Sequence, residues 1–199
     1  MACYHPSKLD VERQLLSDVR PRFDTVTVPC GKCLGCRSDQ GREWAIRLKH
    51  EADLHPASSW FVTLTYAPEF VPGNAPEDYR ARGSLDPDEV RDFLKRLRHK
   101  SRNKIGYYLC GEYGETTDRP HYHMALFGLE LRDKEEFQVR SGIPIYTSPT
   151  LEQTWGKGFV EFSALSWKSA SYVAGYVIKK AREKVDPTKH ISAIVTGKP

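Results

Sequence analysis

Three groups of side chains in this sequence could do chemistry. His121 and His123 flank Tyr122 in RPHYHMALFG, Tyr172 and Tyr176 lie four residues apart in YVAGYVIKK, and Cys30, Cys33 and Cys36 recur at every third position in CGKCLGC. Residues two apart on a strand share a face, so the two imidazoles project together, with Cα atoms roughly 6.5–7 Å apart, while Tyr122 turns the other way. Imidazoles at that spacing can converge on one divalent cation, and a carboxylate should complete the set. Glu112 supplies it if YLCGEYG pairs antiparallel with PHYHMA. A one-residue slip turns it away, leaving Glu115 in the turn as the fallback. Taken alone, an HxH run reads as half-buried sheet residues or surface polar groups; the adjacent carboxylate and the tyrosine pair tip the reading to a cation site.

Residues four apart on a helix are neighbours, so Tyr172 and Tyr176 present their hydroxyls to one region, with Lys179 and Lys180 a turn further on. Two tyrosines on an amphipathic helix are ordinarily core aromatics, but here Val173 and Val177 can supply the buried stripe instead. A phenol titrates near pH 10 and attacks poorly at neutrality unless a lysine, or a metal on the phosphate, stabilises the developing charge. A cation site beside a phenol pair is what cutting DNA by covalent attachment requires.

The five cysteines are an odd number, and tight spacing without an export signal points to metal rather than disulfides. A closed tetrahedral zinc site needs a fourth ligand, for which Cys3 is the natural candidate and His5 the reserve. The same run could hold an iron–sulfur cluster or stay unliganded. Cys110, in an apolar run, reads as a small core residue.

The elements that must position these groups can be read from pattern. Residues 1–36 form an irregular N-terminal segment carrying the cysteines, and 37–199 the main domain. A helix is expected over 38–54, with Trp44, Leu48 and Ala52 at helical spacing. SWFVTLTY reads as a strand. Asp86, Pro87 and Glu89 open a helix with a cap and a capping box, and Val90, Phe93, Leu94 and Leu97 form its buried stripe. IGYYLCGEYG and PHYHMALFG are strands. A short helix near Arg132–Val139, a strand at GFVEFS and a helix over 167–184 follow. This order specifies an α+β domain, a central antiparallel sheet of about five strands flanked by helices.

A net charge of +4, with 39% hydrophobic and 28% charged residues, describes an ordinary globular chain, and no apolar run is long enough to cross a bilayer. A soluble protein is expected. Charge this modest does not argue nucleic-acid binding by itself. Its clustering offers Arg37, Arg42, Arg47 and Lys49 on the first helix, Arg119 beside the histidines, and Lys180 as candidate DNA contacts.

FVTLTY, GEYGETTDRPHYHMALFG and YVAGYVIKK resemble, in order, the three motifs of the HUH replication-initiator endonucleases. With VPCGKCLGCR upstream, the ensemble is most similar to the initiators of microviruses, the gokushovirus group of single-stranded DNA phages. The resemblance covers roughly Thr27 to Lys180. It implies an HUH, ferredoxin-like topology in which His121, His123 and Glu112 hold Mg²⁺ or Mn²⁺ at a scissile phosphate. Tyr176 would be the nucleophile, Tyr172 the second one, and Lys179 an aid to the phosphate chemistry. The implied activity is site-specific nicking and strand transfer on single-stranded DNA at a replication origin, through a 5′-phosphotyrosine link. This would start and end rolling-circle replication of a phage genome in the cytoplasm of a bacterial host, with the host's polymerase. No complete GxxxxGK[ST] loop is present before the chain stops at IVTGKP, so unwinding is expected from a host helicase and the chain is expected to be part of a longer protein. Two other classes stay open: a non-catalytic single-stranded nucleic-acid-binding module, and an interaction protein built on the cysteine segment.

Overall fold

A computed structural model describes residues 3–13, 22–70, 85–101, 103–113, 120–182 and 195–197, with the side chains of 12–13, 22–23, 177–182 and 195–197 outside that description. Among the described residues the chain runs β1 (Ser7–Arg13), β2 (Arg22–Val28), α1 (Leu34–Leu54), β3 (Ser59–Tyr66), α2 (Pro87–Lys100), β4 (Gly106–Tyr113), β5 (Pro120–Phe127), β6 (Glu135–Arg140), β7 (Ile143–Thr147), α3 (Pro149–Trp155), β8 (Gly158–Ala164), α4 (Trp167–Arg182) and β9 (Val195–Gly197). β1 and β2 form a separate antiparallel hairpin, and the other strands make one sheet in the order β6-β7-β8-β3-β5-β4-β9, every pair antiparallel. The domain is α+β, as expected.

Period-two alternation in the central strands divides the sheet into two buried faces. Trp60, Val62, Leu64, Leu109, Tyr122, Met124, Leu126, Val160 and Phe162 point one way, onto Phe93 and Leu97 of α2 and Trp155 of α3. Tyr108, Cys110, Ala125 and Phe127 point the other way, onto Ala45, Leu48 and Ala52 of α1 and Ala170, Val173 and Ala174 of α4. Cys110 is thus the core residue its setting suggests. Central strands covered on both sides lack a polar face, which accounts for the unbroken apolar run MALF.

Several expectations need correcting. The sheet has seven strands, not about five. The short helix expected near Arg132–Val139 is instead strand β6, hairpinned to β7 through Ser141 and Gly142 at φ 52° and 76°. Arg140 pairs with Ile143, so the loop is two residues with positive φ at both, the geometry that matches strand twist. The Ser-Gly dipeptide carried that signal. The N-terminal segment is not wholly irregular, since it holds the β1–β2 hairpin. α1 begins four residues early, at Leu34, with Cys33 as its N-cap. α3 was not foreseen, although Ser148 caps it, Pro149 opens it and Gly156 closes it in the left-handed region. The Asp86 cap forms, accepting from the Asp88 N–H at 2.9 Å, but Glu89 turns to Lys157 at 3.0 Å instead of back to the cap.

Gly158 opens β8 at φ 147°, where a Cβ would collide with the backbone of Thr65 and Ala67, at the end of β3 and just beyond it. Gly158→Ala is therefore expected to destabilise the domain by about 2–3 kcal/mol, through backbone strain and overpacking together. Denaturant unfolding of the two proteins, compared at unchanged slope, measures it.

Candidate active site

The site begins with the register of β4 on β5. Glu112 pairs directly with His121, and Cys110 with His123, so Glu112, His121 and His123 share the face turned toward α4. Tyr122 faces the other way and is fully buried, its hydroxyl donating to the Asp86 carbonyl at 2.6 Å. That bond ties the middle of the histidine strand to the start of α2 and fixes which way its neighbours point.

Glu112 Oε2 lies 3.5 Å from His121 Nε2 and 3.2 Å from His123 Nε2. One ligand atom from each of the three falls within 4.8 Å of the others. Adjacent ligands of an octahedral cation with arms of about 2.1 Å sit about 3 Å apart. Two neutral imidazoles and one carboxylate at these separations therefore fit a single divalent ion, with positions left over for other oxygens.

Two residues that the sequence reading did not single out complete the frame. Thr63, opposite His123 on β3, places Oγ1 3.1 Å from His123 Nδ1. For Nε2 to offer a lone pair, Nδ1 must carry the proton and donate it to Thr63, so this hydroxyl selects the ligating tautomer. Phe61, on the same face, stacks on the His123 ring at 5.4 Å and meets Tyr172 edge-on at 6.1 Å. Both belong to FVTLTY, where alternation alone would have placed them on one face, but only the pairing with β5 shows which face.

α4 lies over β4 and β5. Its two tyrosines form a directed chain, in which Tyr176 Oη donates to Tyr172 Oη at 2.7 Å and Tyr172 Oη donates to Glu112 Oε2 at 2.9 Å. Tyr172 is 43% exposed and Tyr176 only 4%. The expected ranking, Tyr176 leading, sits poorly with that difference: Tyr172 is the phenol that reaches both solvent and the carboxylate.

The remaining candidates are spread. On α1, Arg42 is exposed, Arg37 is half-buried near the helix start, Arg47 lies over the Trp44 ring at 5.1 Å, and Lys49 is paired with Asp53. Arg119 and the fallback ligand Glu115 lie outside the described residues, as do the side chains of Lys179 and Lys180. On the histidine-bearing face beyond β3, where Thr65 pairs with His121 on one side and Phe159 on the other, Phe159 is 57% exposed.

A second cluster lies in the N-terminal segment. Cys3, Cys30, Cys33 and Cys36 bring their sulfurs within 4.8 Å of one another and are all free thiols. His5 is exposed and outside the group. The backbone N–H groups of Cys36 and Tyr4 lower the Cys33 thiol to about 6, whereas burial pushes Cys36 up to about 12. No described helix is long and apolar enough to cross a membrane.

Residues 59–181 match the family model for the replication-associated protein ORF2. The chain is 40% identical over 159 residues to the replication-associated protein ORF2 of Spiroplasma virus 4, covering 77% of this chain and 48% of that one. It is 35% identical over 161 residues to the replication-associated protein VP4 of Bdellovibrio phage phiMH2K, covering 76% and 48%. It is 31% identical over 162 residues to the replication-associated protein ORF4 of Chlamydia phage 1, covering 77% and 38%. The chain therefore spans about half the length of these relatives, or less. No solved structure matches it.

The hydroxyl of Thr63 can be tested without any assay of activity. Thr63→Val keeps the shape and removes the acceptor for His123 Nδ1–H. Its affinity for Mn²⁺, followed by electron paramagnetic resonance of the free ion, is expected to fall about 10–100-fold with the fold intact by circular dichroism.

Proposed function

The chain belongs to the family of the replication-associated protein ORF2, and from that premise we propose that it nicks and rejoins single-stranded phage DNA through a phosphotyrosine link. The observation that carries this reading is the hydrogen-bonded line Tyr176–Tyr172–Glu112, which ends on the carboxylate shared with both histidines. A structural tyrosine pair would have no reason to end its hydroxyl chain on a potential cation ligand.

His121, His123 and Glu112 would hold the ion, Mg²⁺ or Mn²⁺, whose charge offsets the negative charge building on a phosphate under attack. The chain's own residues supply the rest. Tyr172 is the first nucleophile in this assignment, exposed to an incoming strand, with its proton aimed at Glu112 Oε2. As its oxygen bonds to phosphorus, the bond from phosphorus to the 3′-oxygen breaks. That oxygen leaves as a hydroxyl, taking up a proton in exchange for the one the phenol gave away. The phosphate stays joined to Tyr172 on its 5′ side. Tyr176, nearly sealed behind Tyr172, is held for the second cut, with Lys179 assisting the leaving group. Because one ester replaces another, resealing needs no external energy source.

The substrate approaches across the half of the sheet that α1 and α4 do not cover, where Phe159 offers a ring for a base to stack on. In the life of the phage the reaction would fall at the origin of rolling-circle replication, in the cytoplasm of the bacterial host. The host's polymerase would extend the freed 3′ end behind a host helicase.

Single-stranded oligonucleotides tiling the cognate phage genome, incubated with the protein and Mn²⁺, test the chemistry on denaturing gels. A covalent adduct is expected with at least one oligonucleotide. It should be lost in Tyr172→Phe and in His121→Ala, but formed once, without strand transfer, in Tyr176→Phe. Binding with no adduct anywhere in the genome would leave a non-catalytic module as the reading. A separate measurement addresses Phe159: its replacement by Ala should weaken single-strand binding about tenfold, on the order of 1–2 kcal/mol for one lost stacking contact, by fluorescence anisotropy.

A further inference from the structure

The family match begins at residue 59 and so leaves the cysteine cluster unexplained. We propose that Cys3, Cys30, Cys33 and Cys36 form a closed tetrathiolate zinc site that fastens the base of the β1–β2 hairpin to the first turn of α1.

The sulfur separations decide the chemistry. Cys33 Sγ lies 3.5 Å from Cys36 Sγ and 3.9 Å from Cys3 Sγ, and Cys30 Sγ lies 3.9 Å from Cys36 Sγ. A tetrahedron with Zn–S arms of about 2.3 Å has edges of about 3.8 Å. A disulfide needs sulfurs about 2.05 Å apart. A cubane iron–sulfur cluster attaches each thiolate to a different iron, which holds the sulfurs further apart than one shared ion does. Four protein ligands leave no open position, so the site is structural.

The surroundings suit thiolates. Backbone N–H groups point at three of the sulfurs: Cys30 N to Cys3 at 3.3 Å, Cys33 N to Cys30 at 3.4 Å and Tyr4 N to Cys33 at 3.4 Å. Cys33 and Cys36 stand at the start of α1, whose first turn contains no acidic side chain. Thiolates there take the place that carboxylates usually fill at the positive end of a helix.

The fold gives such a site a task. Cys3 precedes β1 and Cys30 follows β2, so the cluster spans the open end of a ladder whose last pair is Ser7 with Val28. The hairpin leaves Leu9, Val11 and Val26 exposed, and two strands without a third layer are marginal in water. A metal crosslink at the base supplies what burial does not. α1, fixed at that end, carries Ala45, Leu48 and Ala52 against the tyrosine helix.

The test is elemental analysis of the full chain purified from medium supplying both zinc and iron. One zinc per chain is expected, retained in His121→Ala, where the imidazole–carboxylate set is broken, and absent in Cys33→Ser. Exchange of the wild type with Co²⁺ should give intense thiolate-to-cobalt absorption and tetrahedral d–d bands, a readout that stands even should Cys33→Ser fail to fold. Zinc withdrawal should make 1–36 the first region cut in limited proteolysis. Iron in place of zinc, disulfides by mass, a cobalt spectrum lacking the thiolate bands, or proteolysis indifferent to zinc would overturn the proposal. None of these readouts depends on DNA cleavage, so the nickase reading stands or falls separately.

Discussion

The pairing register between β4 and β5 is the constraint on which the rest of the molecule depends. With Glu112 opposite His121, a carboxylate and two imidazoles meet on one face, while Tyr122 enters the other core and bonds to the Asp86 carbonyl. A slip of one residue would exchange those faces, burying an ionisable cluster under α2 and sending a tyrosine into the site. The register is held from both sides: by Met124 and Leu126 in one core, and by Ala125 and Phe127 in the other. The polar cluster therefore occupies the ends of two strands whose middles are locked by apolar packing.

The second constraint is unequal cover. α1 and α4 bury the histidine-bearing face over β4 and β5, and the same face beyond β3 carries an exposed Phe159 and an Arg140–Glu161 ion pair with both partners accessible. The site thus lies at the border between a packed layer and an open one. One side supplies rigidity for the histidines, through Thr63 and Phe61, and the other leaves room for an extended polymer. α4 belongs to both regimes, with Val173 and Ala174 in the core, Tyr172 at the rim and Tyr176 just beneath it.

The two candidate metal sites divide the work by ligand chemistry. The mixed imidazole–carboxylate set uses three protein ligands and keeps places open, which suits an ion that must also meet substrate oxygens. The tetrathiolate set is complete and offers nothing to a substrate. They are also built differently: the first from strands inside the large sheet, the second from loop positions beside a hairpin with little core of its own.

Local pattern was enough to give the α+β class, the central strands, the cap at Asp86 and the membership of both ligand sets, because those depend on periodicity, spacing and side-chain chemistry. It misjudged 132–140 by weighing helical pattern over the Ser-Gly turn, and it passed over α3, whose Ser148 and Gly156 boundaries were present. Three-dimensional packing was needed for anything that requires two distant segments to meet. Thr63 could be recognised as the partner of His123 only once β3 lay beside β5, and Phe159 as an open platform only once the helices had chosen which strands to cover. The order of the two phenols was likewise undecided in YVAGYVIKK, since helical spacing gives both the same face. It took the depth at which α4 docks on the sheet to set Tyr172 at the surface, against Glu112, and Tyr176 behind it.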